Sequence, residues 1–410
     1  KSLTGNKTGE NNTGLGWGAL RFNTNGSFNT ASGAISLYYN TTGSQNTAIG
    51  QLAMYLNTTG GKNTAIGSDA LRFNTSGSSN VGIGYTALYF NTTGYSNIAV
   101  GTGALFNTGN RSNLVAVGDS ALFNNGNGAT ETYHGIGNVA VGSKALYANS
   151  TGFYNAATGA DALISNTAGA YNAAFGTGAL RTNTTGNANT SSGFNSMIGN
   201  SSGNGNSAYG AGALTANSIG NSNSAFGANA LFNNQAGYSN VAIGIAALYN
   251  TGNRSNLVAV GDSTLLNNGN GATETYHGIA NTAIGSKALY ANSTGFYNSA
   301  VGSGALTSNT TGSYNAANGT GALLTNTTGD ANTSSGFNSM IGNVSGNGNI
   351  AYGAGALTSN SAGNSNSAAG TNSLFNNQSG NSNVAVGVAA LYNTGNRSNL
   401  AAVGDSALYN

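Results

Sequence analysis

Asn46-Thr-Ala-Ile-Gly-Gln-Leu-Ala-Met-Tyr-Leu-Asn-Thr-Thr-Gly-Gly-Lys62 runs directly into Asn63-Thr-Ala-Ile-Gly-Ser-Asp-Ala-Leu-Arg-Phe-Asn-Thr-Ser-Gly-Ser-Ser79. The two stretches share the phrase Asn-x-Ala-x-Gly-x-x-Ala-Leu, set 17 residues apart (63 − 46). Upstream the phrase begins at Asn12 and Asn29, and downstream at Asn80 and Asn97. It resumes from Asn138 to Asn240, and again from Asn281 to Asn383. A fixed period in this range marks stacked, near-identical turns of chain. The predicted fold class is therefore all-β or mainly β, an elongated parallel β-solenoid (β-roll) with 17-residue coils. At strand spacing, about 4.8 Å per coil, such an array reaches on the order of 110 Å.

Numbered from its Asn, each of 23 units carries Asn at the first place and Gly at the fifth, once a one-residue insertion after Asn113, Asn256 and Asn399 is allowed. The ninth place is Leu in 20 units and Met in three, and these are the only methionines: Met54, Met197 and Met340. The third and eighth places are almost always Ala, otherwise Gly, Ser or Thr. Usage this strict indicates close contact between coils, where only small side chains fit. The predicted structural ladder includes Asn46, Ala48, Gly50 and Met54 in one coil and Asn63, Ala65, Gly67 and Leu71 in the next. Leu88, Met197 and Met340 continue it.

Adjacent side chains of a strand point to opposite faces. An inward third-place Ala puts the first-place Asn on the same inner face, where stacked amides can bond along the array. It also sends the fourth-place residue outward. That place holds Ile49, Ile66, Val100, Phe175, Tyr209, Phe226 and Ile243, but also Ser32, Thr158 and Asn318, as suits a surface that another chain covers. The tenth place is often aromatic, as in Tyr38, Tyr55, Tyr89, Phe106, Phe123 and Tyr147. One Leu per coil is a thin core against the entropy of ordering a whole coil, a further reason to expect self-association.

The segment after the fifth-place Gly has two readings. A small polar residue before Ala-Leu and a Gly after the next Asn suit helix caps, making one helical turn, the preferred reading. Alternatively, Ala-Leu opens a second strand with Asn-Thr-Thr-Gly as its turn.

Composition supports an ordered chain. There are 66 Gly and no Pro or Cys, with only 5% charged residues and a net charge of +2. Disorder goes with Pro, high net charge and few aromatics, whereas aromatic and β-branched residues recur here at fixed places. So small a charge gives no footprint for nucleic acid or an anionic membrane. No run of apolar residues is long enough to span a bilayer. Without Cys there is no disulfide or thiolate–metal chemistry, and no cofactor is expected. The chain opens at Lys1 without a secretory signal and stops just after the Ala-Leu of a repeat. It therefore reads as a segment of a longer protein or a trimmed mature chain.

Residues 1–410 read as one continuous array of about 23 coils, overlaid by a 143-residue super-repeat: 97–239, 240–382 and a partial 383–410. Each full copy holds an excursion, Gly-Asn-Gly-Ala-Thr-Glu-Thr-Tyr-His-Gly-Ile, at 126–136 and 269–279. Both His residues fall there, as Glu131 with His134 and Glu274 with His277. Two potential ligands are too few for a metal site, so the excursions read as polar loops or lateral docking loops. Asn-x-Ser/Thr triplets at Asn40, Asn57, Asn91, Asn149, Asn183 and Asn309 are candidate glycan acceptors in an exported protein. The preferred reading is turn chemistry, with Asn closing an Asx-turn and Gly supplying positive φ. Calcium-binding β-rolls need an Asp in every nine-residue unit, and nine acidic residues in the whole chain exclude that reading.

The phrase Asn46-Thr-Ala-Ile-Gly50, repeated at Asn63–Gly67 and Asn281–Gly285, resembles the head repeats of trimeric autotransporter adhesins. Those heads are left-handed parallel β-rolls joined as trimers. It is also similar to repeats of large bacterial surface proteins and phage tail-fibre-like proteins. The resemblance implies a location outside the cell or on a cell or virion surface. It implies copies of the chain itself as partners, and surface glycans as candidate ligands. The expected function is a structural segment of an extracellular filament or surface fibre, with a glycan- or surface-recognising adhesin as the alternative. Ice binding ranks below both, because the Thr residues cluster in turns. No enzyme is expected, since regular repeats leave no unique cleft with convergent polar groups.

Overall fold

The computed structural model describes residues Lys1–Asn410, which form two compact units, Lys1–Gly205 and Asn206–Asn410. The boundary does not fall at a super-repeat junction, and both units are built from the same coil. The first contains eleven three-residue strands, β1 (Thr13–Leu15) to β11 (Thr190–Ser192). The second contains twelve, β12 (Ser207–Tyr209) to β23 (Ala401–Val403). Consecutive strands within a unit pair in parallel without slip. Thr47, Ala48 and Ile49 face Thr64, Ala65 and Ile66, and Ser224, Ala225 and Phe226 face Val241, Ala242 and Ile243. The chain is a parallel β-solenoid of 23 coils, one strand to each, as the period predicts.

Each strand ends at the fifth-place Gly, whose φ of 130° at Gly50 and 133° at Gly67 lies where an L side chain is strained. Beyond it the backbone alternates in the sign of φ. Leu52 and Met54 have φ of 57° and 51°, and Asp69 and Leu71 have 59° and 52°. Overlapping turns follow, with Ala53, Tyr55 and Asn57 donating their N–H to the carbonyls of Gly50, Leu52 and Met54. The intervening N–H groups reach other coils: Leu52 donates to Ala34 O at 3.1 Å, and Met54 to Ala70 O at 2.9 Å. This arm is neither the single helical turn nor the second strand. A helix would direct its N–H groups inward along its own coil, whereas here half of them bond between coils. The alternation also explains why adjacent residues share one face. Ala70 and Leu71 are both fully buried, which the alternation of a strand does not allow for neighbours on one covered face. Left-handed φ costs roughly 1–2 kcal/mol per L-residue. Repetition offsets it, because each such residue gains a backbone bond to the neighbouring coil.

Two columns of buried Asn run beside the Ala and Leu columns. In the first-place column, Asn63 Nδ2 donates to Asn46 Oδ1 at 3.2 Å and to Gly77 O at 2.8 Å. Asn63 Oδ1 in turn accepts from the N–H and Nδ2 of Asn80 at 2.9 and 3.1 Å. The second column comes from the Asn-Thr-Thr-Gly turns. There Asn74 Nδ2 donates to Asn57 Oδ1 at 2.7 Å and also to Gly77 O at 3.0 Å. The interior thus holds two amide columns beside two Ala columns and one Leu column, with the amide donors paired as a buried polar group requires.

The proposed insertions after Asn113, Asn256 and Asn399 do not exist. These residues take the left-handed place that Ser79 and Ser96 hold in regular coils, with φ of 61°, 60° and 62°. Leu114, Leu257 and Leu400 then occupy the first place, directly before strands Val115–Val117, Val258–Val260 and Ala401–Val403. Three coils therefore begin with Leu instead of Asn. The ladder is rerouted around them: Asn97 Nδ2 keeps the regular bond to the carbonyl 14 residues on, Arg111 O at 2.9 Å, but its second bond goes to Asn91 Oδ1 at 3.2 Å instead of to the preceding first-place Asn.

Candidate functional site

Three surface features stand out from the repeating coil. The first is the outward face of the sheet. Fourth-place Ile49, Ile66 and Ile83 lie on successive coils and are 40%, 37% and 36% exposed. In the second unit Tyr209, Phe226 and Ile243 repeat the pattern, with the Tyr209 and Phe226 rings stacked at 5.0 Å. The third-place residue beside each of them, Ala or in one coil Gly82, is buried, so the inward and outward assignment made from strand alternation holds.

The second feature is the tenth-place aromatics. They are half-buried and stack on one another. Tyr89, Phe106, Phe123 and Tyr147 form a column with ring centroids 4.8–5.3 Å apart. Phe375, Tyr392 and Tyr409 form another. Near the start of the first unit, Tyr38, Tyr39 and Tyr55 pack edge and face, with Arg72 against Tyr55. The Tyr55 phenol is held above its ordinary value of 10.0, chiefly by its hydrogen bond with Tyr39 and then by burial and the neighbouring phenols. A raised value means that folding favours the neutral ring. That contribution is complete below pH 10 and is lost as pH rises through the folded-state value.

The third feature is the excursion, which opens inside the Asn-Thr-Thr-Gly turn. In ordinary coils Asn57 Nδ2 caps Gly60 O three residues on, whereas Asn125 Nδ2 caps Gly135 O ten residues on, at 2.7 Å. The second Asn column bridges the longer coil, with Asn149 reaching back 24 residues instead of 17 to Asn125 Oδ1. Seven extra residues thus leave and rejoin while the second column stays continuous, and Asn138 Nδ2 turns to Asn125 Oδ1 at 3.1 Å because Leu114 holds the first place of that coil. Eight such steps, one of them lengthened, account for the 143-residue spacing. Arginine anchors each loop: Arg111 Nη2 donates to Ala129 O at 3.3 Å, and Arg254 Nη2 to Ala272 O at 3.2 Å. Glu131 and Glu274 are exposed, and their backbone N–H groups donate to His134 Nδ1 and His277 Nδ1 at 3.3 Å. The Glu–His pairs are thereby loop-closing contacts through the main chain. No group of three or more His, Asp or Glu side chains is assembled anywhere.

Two parts of this feature are not in the sequence reading. One is the pair of anchoring arginines. The other is a ridge of exposed aromatics next to each loop, Tyr133, Tyr154 and Tyr171 in one copy and Tyr276, Tyr297 and Tyr314 in the next. The available signal is the Phe-Tyr pair at 153–154 and 296–297, just before a first-place Asn. It lies outside the phrase on which the units are aligned.

The six candidate glycan acceptors turn inward. Asn40, Asn57, Asn91, Asn149, Asn183 and Asn309 are all fully buried members of the second amide column. Asn40 Nδ2, the atom that would carry a glycan, donates to Asn23 Oδ1 at 2.7 Å and Gly43 O at 2.8 Å. Asn309 does the same to Asn292 Oδ1 and Gly312 O. A sugar on that nitrogen is incompatible with both bonds, so the geometry supports turn chemistry for these triplets. In a host that glycosylates exported proteins, the folded chain is expected to show its unmodified mass. A glycan found on Asn57 in protein that retains the native fold would contradict this.

No protein-family model matches the chain, and no curated protein matches it.

Proposed function

We propose that this chain is a structural segment of an extracellular filament or surface fibre that associates with copies of itself through its coils. The observation that carries the reading is the outward apolar column of Ile49, Ile66 and Ile83 and its counterparts. Such a column has the period of the coil, so an identical column matches it at every step. Repeated contacts of this kind form a continuous interface, of the type that marks interaction surfaces. The resemblance to adhesin head repeats and tail-fibre-like repeats supports the surface location. Low charge and uniform coils suit a part whose role is length and cohesion rather than chemistry.

The test is sedimentation across a concentration series. The wild-type chain is expected to associate. The triple variant Ile49→Lys, Ile66→Glu and Ile83→Lys sets opposite charges on adjacent coils, which attract rather than repel along the stack, and circular dichroism checks that the fold is kept. Burying those charges against a partner costs enough to weaken association at least about a hundredfold. A wild-type chain that stays monomeric at the highest concentrations would overturn the proposal. A second reading, an adhesin that recognises surface glycans, is favoured by the aromatic ridge beside each excursion.

A further inference from the structure

We infer that Asp330 Oδ2, the carbonyl oxygen of Thr328 and Asn347 Oδ1 form a binding site for a hard divalent cation, Ca²⁺ in particular. The inference is independent of how the chain associates. It comes from one residue that breaks the chemistry of a surface row.

The row is built by Asn side chains that stack from coil to coil in the sixteenth place. Asn187 Oδ1 accepts the Ala170 N–H at 2.8 Å, while its Nδ2 donates to Thr185 O at 3.0 Å and to Asn204 Oδ1 at 3.3 Å. Asn347 Nδ2 does the same to Ser345 O and Asn364 Oδ1, at 3.2 and 3.3 Å. Asn364 Nδ2 follows with Ala362 O and Asn381 Oδ1, at 3.1 and 3.2 Å. A main-chain carbonyl two residues back and a side-chain oxygen of the next coil thus converge on one amide nitrogen.

Asp330 stands in this row, 143 residues after Asn187, and it keeps the pose. Its Oδ1 accepts the Ser313 N–H at 2.7 Å, and its own N–H donates to Asn347 Oδ1 at 2.7 Å. Its second oxygen therefore takes the place of the Nδ2 and faces Thr328 O and Asn347 Oδ1. An ionised carboxylate has no hydrogen to donate. Three oxygens and a negative charge meet where the rest of the row has a donor, and neither of the chain's two ion pairs involves Asp330. A cation supplies the missing positive partner. Oxygens held by one Ca²⁺ at about 2.4 Å and roughly 80° apart lie about 3.1 Å from one another. That is the spacing at which the row sets the Nδ2 from its two acceptors.

Thr328 and Asp330 are exposed, so water completes a shell of about six to eight oxygens. One carboxylate and two neutral oxygens make a weak site, with a Kd of about 10⁻⁴–10⁻³ M, as in extracellular modules. Mg²⁺, which gives up its water reluctantly, binds less well. The ligands come from two consecutive coils, so the cation clips those coils together. Asn187 keeps its donor, and the first unit lacks the corresponding site.

The experiment uses the full chain after treatment with a chelator. Ca²⁺ is titrated by calorimetry. Tb³⁺ is followed by its luminescence under tyrosine excitation, since Tyr314 lines the same groove as Asp330. Wild type is expected to bind one Ca²⁺ per chain and to give Tb³⁺ emission that Ca²⁺ removes. Asp330→Asn restores the donor of the row and should keep the fold, which circular dichroism checks. It should weaken Ca²⁺ binding at least about tenfold, because ligand charge sets the affinity of such sites. Asn187→Asp should create a second site and raise the stoichiometry to two. Ca²⁺ should also slow hydrogen exchange at 313–349 in wild type and not in Asp330→Asn. Binding by Asp330→Asn as tight as by wild type, or no binding by wild type at ~10 mM Ca²⁺, above the whole expected range, would overturn the proposal.

Discussion

Asn63→Asp is expected to disrupt the coils around it at neutral pH and to be largely tolerated in acid. Asn63 is buried and uses both kinds of amide atom, Nδ2 as donor to Asn46 Oδ1 and Gly77 O, and Oδ1 as acceptor from Asn80. Aspartate keeps the acceptor side. Its other oxygen then faces two acceptors, and the ionised form is an unpaired buried charge costing about 3–5 kcal/mol. Protonation restores one donor and removes the charge, which leaves a loss of about 1–2 kcal/mol. The folded-state pKa of the new carboxyl is therefore raised above its unfolded value of about 3.9. Stability is greatest below the unfolded pKa and is lost as pH rises through the folded one. Asn63→Ala, which introduces no titrating group, should destabilise equally at both pH values. Unfolding of a long repeat array is not two-state. Hydrogen exchange of the coils at 46–62, 63–79 and 80–96 is therefore the appropriate measurement. Equal protection of the Asp variant at pH 3 and pH 7 would refute the donor assignment.

The chain itself supplies a comparison. Leu114, Leu257 and Leu400 stand at the place of Asn63, yet only where neighbouring amides are rearranged. In the coil just before Leu114, Asn97 Oδ1 accepts only the Leu114 N–H, and Thr108 stands in the second column with its hydroxyl 3.4 Å from Asn91 Oδ1. Loss of an Asn from one column is thus accompanied by a change in the other. A single substitution in a regular coil has no such compensation. The Ser pairs show the same coupling on a smaller scale. Ser191 and Ser334 replace third-place Ala in coils where Ser196 and Ser339 replace the eighth, and each pair is hydrogen-bonded across the coil.

The period and the small-residue places alone fix the strand, its register and the inner face. Each depends on side-chain size and on alternation, and both can be read along the chain. The path after the fifth-place Gly could not be read in this way. Its left-handed Leu residues gain their stabilisation from the next coil, and no local propensity encodes an inter-coil bond. The same holds for the second Asn column. Asn57 and Asn74 sit in a turn-like triplet, and only the stacked structure shows the amide turned inward. The surface ridge at Tyr297 and Tyr314 was hidden for a different reason. Those tyrosines are spaced by 17 residues like everything else, so an alignment chosen to maximise invariance set aside the place where variation carries information.

Gly67→Ala tests the closeness of the coils most directly, and its effect should rival that of the buried charge. An added Cβ at Gly67 would lie 2.5 Å from the carbonyl oxygen of Gly84 and 2.7 Å from its carbon. Neither atom can retreat cheaply, because Gly84 N–H donates to Ile66 O and Gly67 N–H to Ile49 O, both at 2.8 Å. The φ of 133° adds strain of its own, on the order of 1–3 kcal/mol. Forcing the contact apart costs a further ~1–3 kcal/mol, as overpacking does elsewhere. Gly61→Ser is the control, since Ser44 and Ser78 already hold its place in the flanking coils, and it should change stability by less than about 0.5 kcal/mol. In a stack where each coil contacts only its neighbours, the damage is expected to be local. Exchange protection should fall in the coils at 46–96 and persist in distant coils of the same unit. A Gly67→Ala chain as protected as wild type in those coils would mean that the coils are not packed carbonyl against glycine.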